Sequence, residues 1–205
     1  MTTARYARLL VQINGAVPVA LLTFAAWRDR LGYNPSAYLL RTSGLLALIF
    51  LLLSLCVTPL RRITGRNFFS LFRRTLGLYA FFYACLHVLM YLWLDQGFDL
   101  LNVPADVWRR KFILLGMLAF LLLIPLAATS TAGMVKRLGA VRWKRLHQLV
   151  YVAAAAGVIH YALRAKVLET QPMLFVVAAG VLLGFRAVWG IGGASHSRKS
   201  AGRVG

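Results

Sequence analysis

TLGLYAFFYACLHVLMYLWL, residues Thr75–Leu94, runs for twenty residues with one ionisable imidazole, His87, and no Asp, Glu, Lys or Arg. At 1.5 Å per residue a helix of that length covers about 30 Å, the thickness of a bilayer's hydrocarbon core. The stretch therefore reads as a membrane-crossing helix. An ionisable side chain inside such a helix is expensive unless satisfied, so His87 marks a functional position.

Five further runs have the same character: Leu9–Trp27, Leu39–Val57, Phe112–Thr129, Leu146–Leu163 and Met173–Trp189. The chain is 60% hydrophobic, which fits an all-α membrane protein better than a soluble domain of 205 residues. The six spans leave only short linkers. The expected architecture is one transmembrane bundle over residues 1–205, with a flexible basic tail over 190–205 and no soluble domain. Chemistry on a soluble substrate then belongs to a partner protein. The basic start Met1–Arg8 leads straight into the first apolar run, as an uncleaved signal-anchor does.

The net charge of +19 has the size of a nucleic-acid binder's, but its distribution excludes that class. Sixteen of the twenty-four cations fall on one side of the bundle, including Arg61, Arg62, Arg73, Arg74, Lys144 and Arg145. The other side keeps Arg28, Arg30, Arg41, Arg109, Arg110, Lys111, Arg164 and Lys166. By the positive-inside rule both termini are cytoplasmic, and the basic loops rest on anionic lipid head groups. All five acids lie in the opposite loops. Trp27, Trp93, Trp108, Trp143 and Trp189 stand at or just beyond span ends, where an aromatic belt forms.

With that topology the third span puts His87 about 18 Å from its cytoplasmic start. In the fifth span His147 lies at the cytoplasmic mouth and His160 near the outer end. His87 and His160 thus share a depth on different helices, as a haem held by two imidazoles requires. Small residues surround both: Gly77, Ala80 and Ala84 share a face with His87, and Ala153–Gly157 precede His160. The same small residues also suit close helix packing. His147 has three readings: ligand of a second haem, contact to a haem propionate, or cap of a helix start. His196 lies in the tail and reads as solvated.

Cys56 and Cys85 read as apolar packing residues, and no C-x-x-C-H run exists, so any haem is held non-covalently. No Asp or Glu lies inside a span, and no H-E-x-x-H, G-x-S-x-G or P-loop run occurs. A carboxylate proton relay, a metalloprotease and an ATPase are thereby disfavoured. Pro125 and Pro18 lie inside spans, where a freed carbonyl and a kink either open room for a quinone or flavin or do nothing more.

Arg73–Leu78 followed by Tyr83–His87, Gly116–Phe120, Pro125–Ser130, Trp143–Tyr151 and the pair His160-Tyr161 together resemble the ferric-reductase-like transmembrane proteins. Within that group the likeness is greatest to haem-binding inner-membrane subunits of bacterial periplasmic methionine-sulfoxide reductase systems. The resemblance implies transfer of electrons across the membrane to a periplasmic molybdopterin enzyme that repairs oxidised proteins. It further implies b-type haem at His87, His160 and His147, FMN as a reported cofactor, and a quinone or a cytoplasmic flavin reductase as donor. The chain lacks the NADPH- and flavin-binding domain of the larger ferric reductases, and its third helix has one histidine where they have two. The number of haems stays open at this point. So do a cytochrome b role in another periplasmic oxidoreductase or metal-ion reductase, and a cofactor-free transporter or scaffold. The outer loop Asp95–Lys111 is the longest on the acceptor side and is the expected contact for a partner.

Overall fold

The computed structural model describes residues 3–164 and 170–201, with side chains of the last helix described as far as Val188. Among the described residues there are only helices and turns: α1 (Thr3–Trp27), α2 (Pro35–Thr64), α3 (Ser70–Met90), α4 (Val103–Arg109), α5 (Lys111–Ala128), α6 (Ala132–Leu138), α7 (Ala140–Leu146), α8 (Leu149–Arg164) and α9 (Thr170–Ala201). Six stretches are long and apolar enough to cross a membrane: Thr3–Trp27, Pro35–Thr64, Asn67–Asp95, Lys111–Ala128, Ala140–Arg164 and Thr170–Val188. This is a multi-pass membrane protein.

The ends of α2 show why helices outrun the apolar runs. Asn34 Oδ1 accepts the amide of Ala37 at 3.0 Å, and Pro35 opens the helix where its missing N–H is no loss. Gly65, at φ 68°, closes it in the left-handed conformation. The basic tail read from the sequence as flexible over residues 190–205 starts as a continuation of α9 to Ala201; residues 202–205 lie outside those described. The fifth span is not one straight helix. A tight turn at His147-Gln148 separates α7 from α8, with Gln148 N donating to Arg145 O at 3.1 Å, so His147 and His160 do not share a helix.

Two antiparallel pairs form the centre: α2 against α3, and α5 against α8. Their shared core holds Leu48, Leu51 and Leu55 of α2, Tyr83 and Ala84 of α3, Leu123 and Leu126 of α5, and Ala153, Ala154 and Val158 of α8. The fully buried alanines let the backbones close in where larger side chains would hold them apart. Apolar side chains on the outer faces, such as Ile13, Leu21, Leu121, Val152 and Val177, are exposed in the protein alone.

Pro18 does not open a ligand cavity. Tyr83 is completely buried and inserts its hydroxyl into α1, donating to Gly15 O at 2.8 Å and accepting from Val19 N at 3.2 Å. A side chain thus fills the gap that the proline makes in the helix ladder.

At the opposite end from the chain termini, α3 finishes in a wide π turn, Tyr91–Asp95. There the Tyr91 hydroxyl donates to Asp106 Oδ2 at 2.7 Å, and Gln96 Nε2 donates to the same oxygen at 3.0 Å. Arg110 Nε donates to Asp106 Oδ1 at 2.8 Å, and its Nη2 reaches both Asp106 Oδ2 and Asp95 Oδ2. This cluster ties the end of α3 to the start of α5. The Arg110 guanidinium, helped by the Tyr91 hydroxyl, holds the Asp106 carboxyl below the usual carboxylate range against a smaller opposing effect of burial. A carboxyl with a depressed folded-state pKa stabilises the fold above its unfolded pKa, and that contribution fades as the pH falls through the folded value. Asp106→Asn is therefore expected to destabilise the solubilised protein at pH 7 by about 1–2 kcal/mol, the range for a partly exposed charged hydrogen bond, and so to lower its thermal midpoint. Thermal melts from pH 7 to pH 3 should show the two proteins converging below about pH 4.

Candidate functional site

α3 and α8 bring His87 and His160 face to face, with ring centres 6.1 Å apart and planes crossed at 74°. The sequence reading placed these two imidazoles at one depth, and the bundle joins them across a single apolar cavity. Its walls include Leu45, Leu48, Leu51, Ala84, Ala119, Phe120 and Leu123.

Each ring is pinned the same way. His87 Nδ1 lies 2.9 Å from Leu40 O on α2, and His160 Nδ1 lies 2.5 Å from Phe112 O on α5. A carbonyl only accepts, so both Nδ1 atoms carry the proton and both Nε2 atoms keep the lone pair. Four residues beyond each acceptor stands a glycine, Gly44 after Leu40 and Gly116 after Phe112. That spacing puts glycine and carbonyl on one helix face. A Cβ at Gly44 would lie 2.8 Å from His87 Nδ1, and one at Gly116 would lie 2.8 Å from His160 Nδ1. The missing side chains are what let the rings reach the carbonyls. Sequence reasoning missed both glycines; the available signal was their occurrence inside Leu-rich helical runs.

Among the described residues no three His, Cys, Asp or Glu converge on a point, so a bare ion would not find a protein-built cage. Two imidazoles approaching from opposite sides suit an iron already held by a planar macrocycle. A metal–imidazole bond of about 2 Å, with about 1 Å from ring nitrogen to ring centre, sets the centres of two trans imidazoles about 6 Å apart. The observed pair meets that spacing, and the residues present fit the group.

His147 lies elsewhere, toward the end of the bundle that carries the chain termini. Its ring stacks on Trp143 at 3.8 Å, its Nδ1 is 3.2 Å from Trp143 O, and its Nε2 is 3.5 Å from Ser130 Oγ. Trp143 is more than a belt residue, since its indole N–H donates to Thr129 O at 2.9 Å, just past the Pro125 turn of α5. These groups border a second cavity of about 310 Å³, with Arg73, Arg74, Ser70 and Thr131 on its other walls. Among the described residues no second imidazole lines that cavity. Cys56 and Cys85 are both free thiols.

Residues 43–158 match the family described as ferric reductase like transmembrane component. The chain belongs to this family. The match begins beside Gly44 and takes in His87, Gly116 and His147, stopping two residues short of His160. Three relatives carry the name protein-methionine-sulfoxide reductase heme-binding subunit MsrQ. That of Rhodospirillum rubrum is 51% identical over 77% of this chain and 76% of its own. That of Herminiimonas arsenicoxydans is 47% identical over 86% of this chain and 82% of its own. That of Ralstonia nicotianae is 42% identical over 98% of this chain and 93% of its own. These are the proteins to which the sequence resemblance pointed.

The glycines supply a test of the geometry. Gly44→Ala and Gly116→Ala each crowd an imidazole, an overpacking cost of about 1–3 kcal/mol. Each is expected to lower haem content per purified protein several-fold, read from visible absorbance. Gly180→Ala, where an added methyl meets nothing within 4 Å and which lies outside that cavity, should leave it unchanged.

Proposed function

We propose that the chain is the haem-carrying electron-transfer subunit of a methionine-sulfoxide reductase system, with His87 and His160 as the axial ligands of one b-type haem. The observation that carries this reading is the facing imidazole pair, 6.1 Å apart, with both Nδ1 atoms committed to helix carbonyls. The names of the relatives support it. When bound, haem supplies one-electron transfer between ferric and ferrous iron. The chain's own residues do the rest. Leu40 O and Phe112 O hold the Nδ1 protons, which orients each Nε2 lone pair and raises its basicity. The apolar walls keep water from the space between the rings.

The positive-inside distribution supports a topology with both termini in the cytoplasm, and the reading assigns the protein to the bacterial inner membrane. The acceptor is a periplasmic molybdopterin methionine-sulfoxide reductase, and the donor is a quinone or a cytoplasmic flavin reductase. The cavity beside His147 lies on the donor side. Its two arginines, four hydroxyls and stacked Trp143 suit an anionic planar ligand such as FMN. A second haem there would have His147 as its one imidazole among the described residues, so FMN is the better fit.

His87→Ala and His160→Ala are each expected to abolish the haem bands in a reduced-minus-oxidised spectrum, and His147→Ala to retain them. Full haem content in both of the first two variants would overturn the ligand assignment. Crossed imidazole planes leave the iron dπ orbitals nearly degenerate. The oxidised protein should therefore give a low-spin electron paramagnetic resonance signal dominated by one large-g feature.

A further inference from the structure

The first helix meets the bundle mainly through α3. Tyr79 of α3 donates its hydroxyl to Gln12 O at 2.5 Å, and the Tyr83 hydroxyl takes Gly15 O and Val19 N. Gln12, Gly15 and Val19 follow at steps of three and four and so share one edge of α1. Only 6% of the apolar stretch of α1 is buried, against 44% in α2. On the side opposite α3, Leu10, Asn14, Val17, Leu21 and Phe24 follow at steps of four, three, four and three, the spacing of a heptad seam. All five are exposed, Leu21 by 62% and Phe24 by 52%.

Asn14 is the residue that apolar surroundings leave unsatisfied. It lies six residues, about 9 Å along the helix, past Arg8, the last cation before the apolar run. Its Nδ2 donates to Leu10 O at 2.8 Å. Its Oδ1 and its second N–H meet no partner among the described residues. The side chain is too short to reach back to the head groups, so against lipid both would stay unpaired in hydrocarbon, which is costly. The exposed face of α5, with Leu114, Leu118 and Leu121, carries no polar side chain and makes no such demand.

We infer that this face of α1 pairs two copies of the chain, with Asn14 of each copy hydrogen-bonded to Asn14 of the other. Copies inserted in one membrane share a topology, so their α1 helices run parallel. A two-fold axis along the seam then sets each seam residue opposite its own counterpart. An amide suits that place because it carries a donor and an acceptor: the spare N–H of one Asn14 meets the Oδ1 of the other, twice over. A single Asn in an apolar seam fixes the register of parallel helices, and amides bond across helices in membranes. A lipid tail offers neither group. No residue of α1 lines the cavity between His87 and His160 or the one beside His147, so pairing leaves both clear.

The test uses the purified full chain, labelled with donor or acceptor dye and reconstituted in liposomes over a range of protein-to-lipid ratios. Energy transfer reads the dimer. The wild type is expected to dimerise and to dissociate on dilution with lipid. Asn14→Leu should weaken the dimer several-fold, Asn14→Gln should keep most of it, and Leu118→Ala on α5 should leave it unchanged. A second arm places Val17→Cys or Thr23→Cys in a Cys56→Ala/Cys85→Ala background and adds oxidant to native membranes. Thr23 is exposed one turn beyond Val19, on the α3 edge. Val17→Cys should give a band at twice the mass of the chain, and Thr23→Cys none. Energy transfer no greater than random proximity at every ratio would overturn the pairing, as would Asn14→Leu dimerising like the wild type. Equal cross-linking at Thr23 would overturn the choice of face. A Val17→Cys band at some other mass would give the face to a helix of a different protein and overturn the second copy. If Asn14→Leu does not accumulate, the cysteine variants, which keep Asn14, still decide.

Discussion

Everything at the centre of this bundle depends on two hydrogen bonds, from His87 Nδ1 to Leu40 O and from His160 Nδ1 to Phe112 O. A polar group left unpaired in an apolar medium costs about 2 kcal/mol or more, so each imidazole in the bilayer needs a partner. The partner here is a helix carbonyl, already engaged within its own helix but with a second lone pair to give. To reach it, α2 must lie close on α3 and α5 close on α8. That explains why glycine occurs at Gly44 and Gly116 and why alanine fills the buried faces around them. The same device appears twice, once in each antiparallel pair. Close packing, the choice of tautomer and the aim of both lone pairs are one requirement met together.

The number of membrane crossings and the shared depth of His87 and His160 were legible in the sequence, because both follow from helical rise and apolar run length. The partners of the histidines were not legible. Which helix lies beside which is decided by side-chain packing between spans, and apolar periodicity says little about that where every face is apolar. The glycines therefore read as ordinary helix residues, although one alanine methyl at either would collide with the ring it faces. Pro18 and Trp143 make the same point. A proline kink looks like room for a ligand until Tyr83 is seen to fill it. A tryptophan at a span end looks like a lipid anchor until its indole is seen stacked on His147. The break before α8 was invisible because nothing in Arg145–Tyr151 forbids a continuous helix; the turn at His147-Gln148 shows only in the local backbone bonds, such as Gln148 N to Arg145 O.

The outer cluster of Tyr91, Asp95, Asp106 and Arg110 has a bearing on the site. Tyr91 lies one turn beyond His87 on α3, and Arg110 lies two residues before Phe112 on α5. The cluster thus joins the element that carries one imidazole to the element whose carbonyl pins the other. Its groups are paired to one another although partly exposed, so the cluster restrains the separation of α3 and α5 just above the cavity. The loop Asp95–Lys111, expected from the sequence to contact a partner, is held to the scaffold through Asp95, Asp106 and Arg110.

The medium around the imidazole pair bears on what the site could do. A haem held by His87 and His160 would lie against the apolar walls formed by Leu48, Leu51, Ala119 and Leu123, and such a medium disfavours net charge. The chain's own contribution would be to hold both rings by their Nδ1 protons and to keep water and the carboxylates of the described residues away from the space between them, so that electron transfer there would not be tied to uptake of a proton by a neighbouring acid.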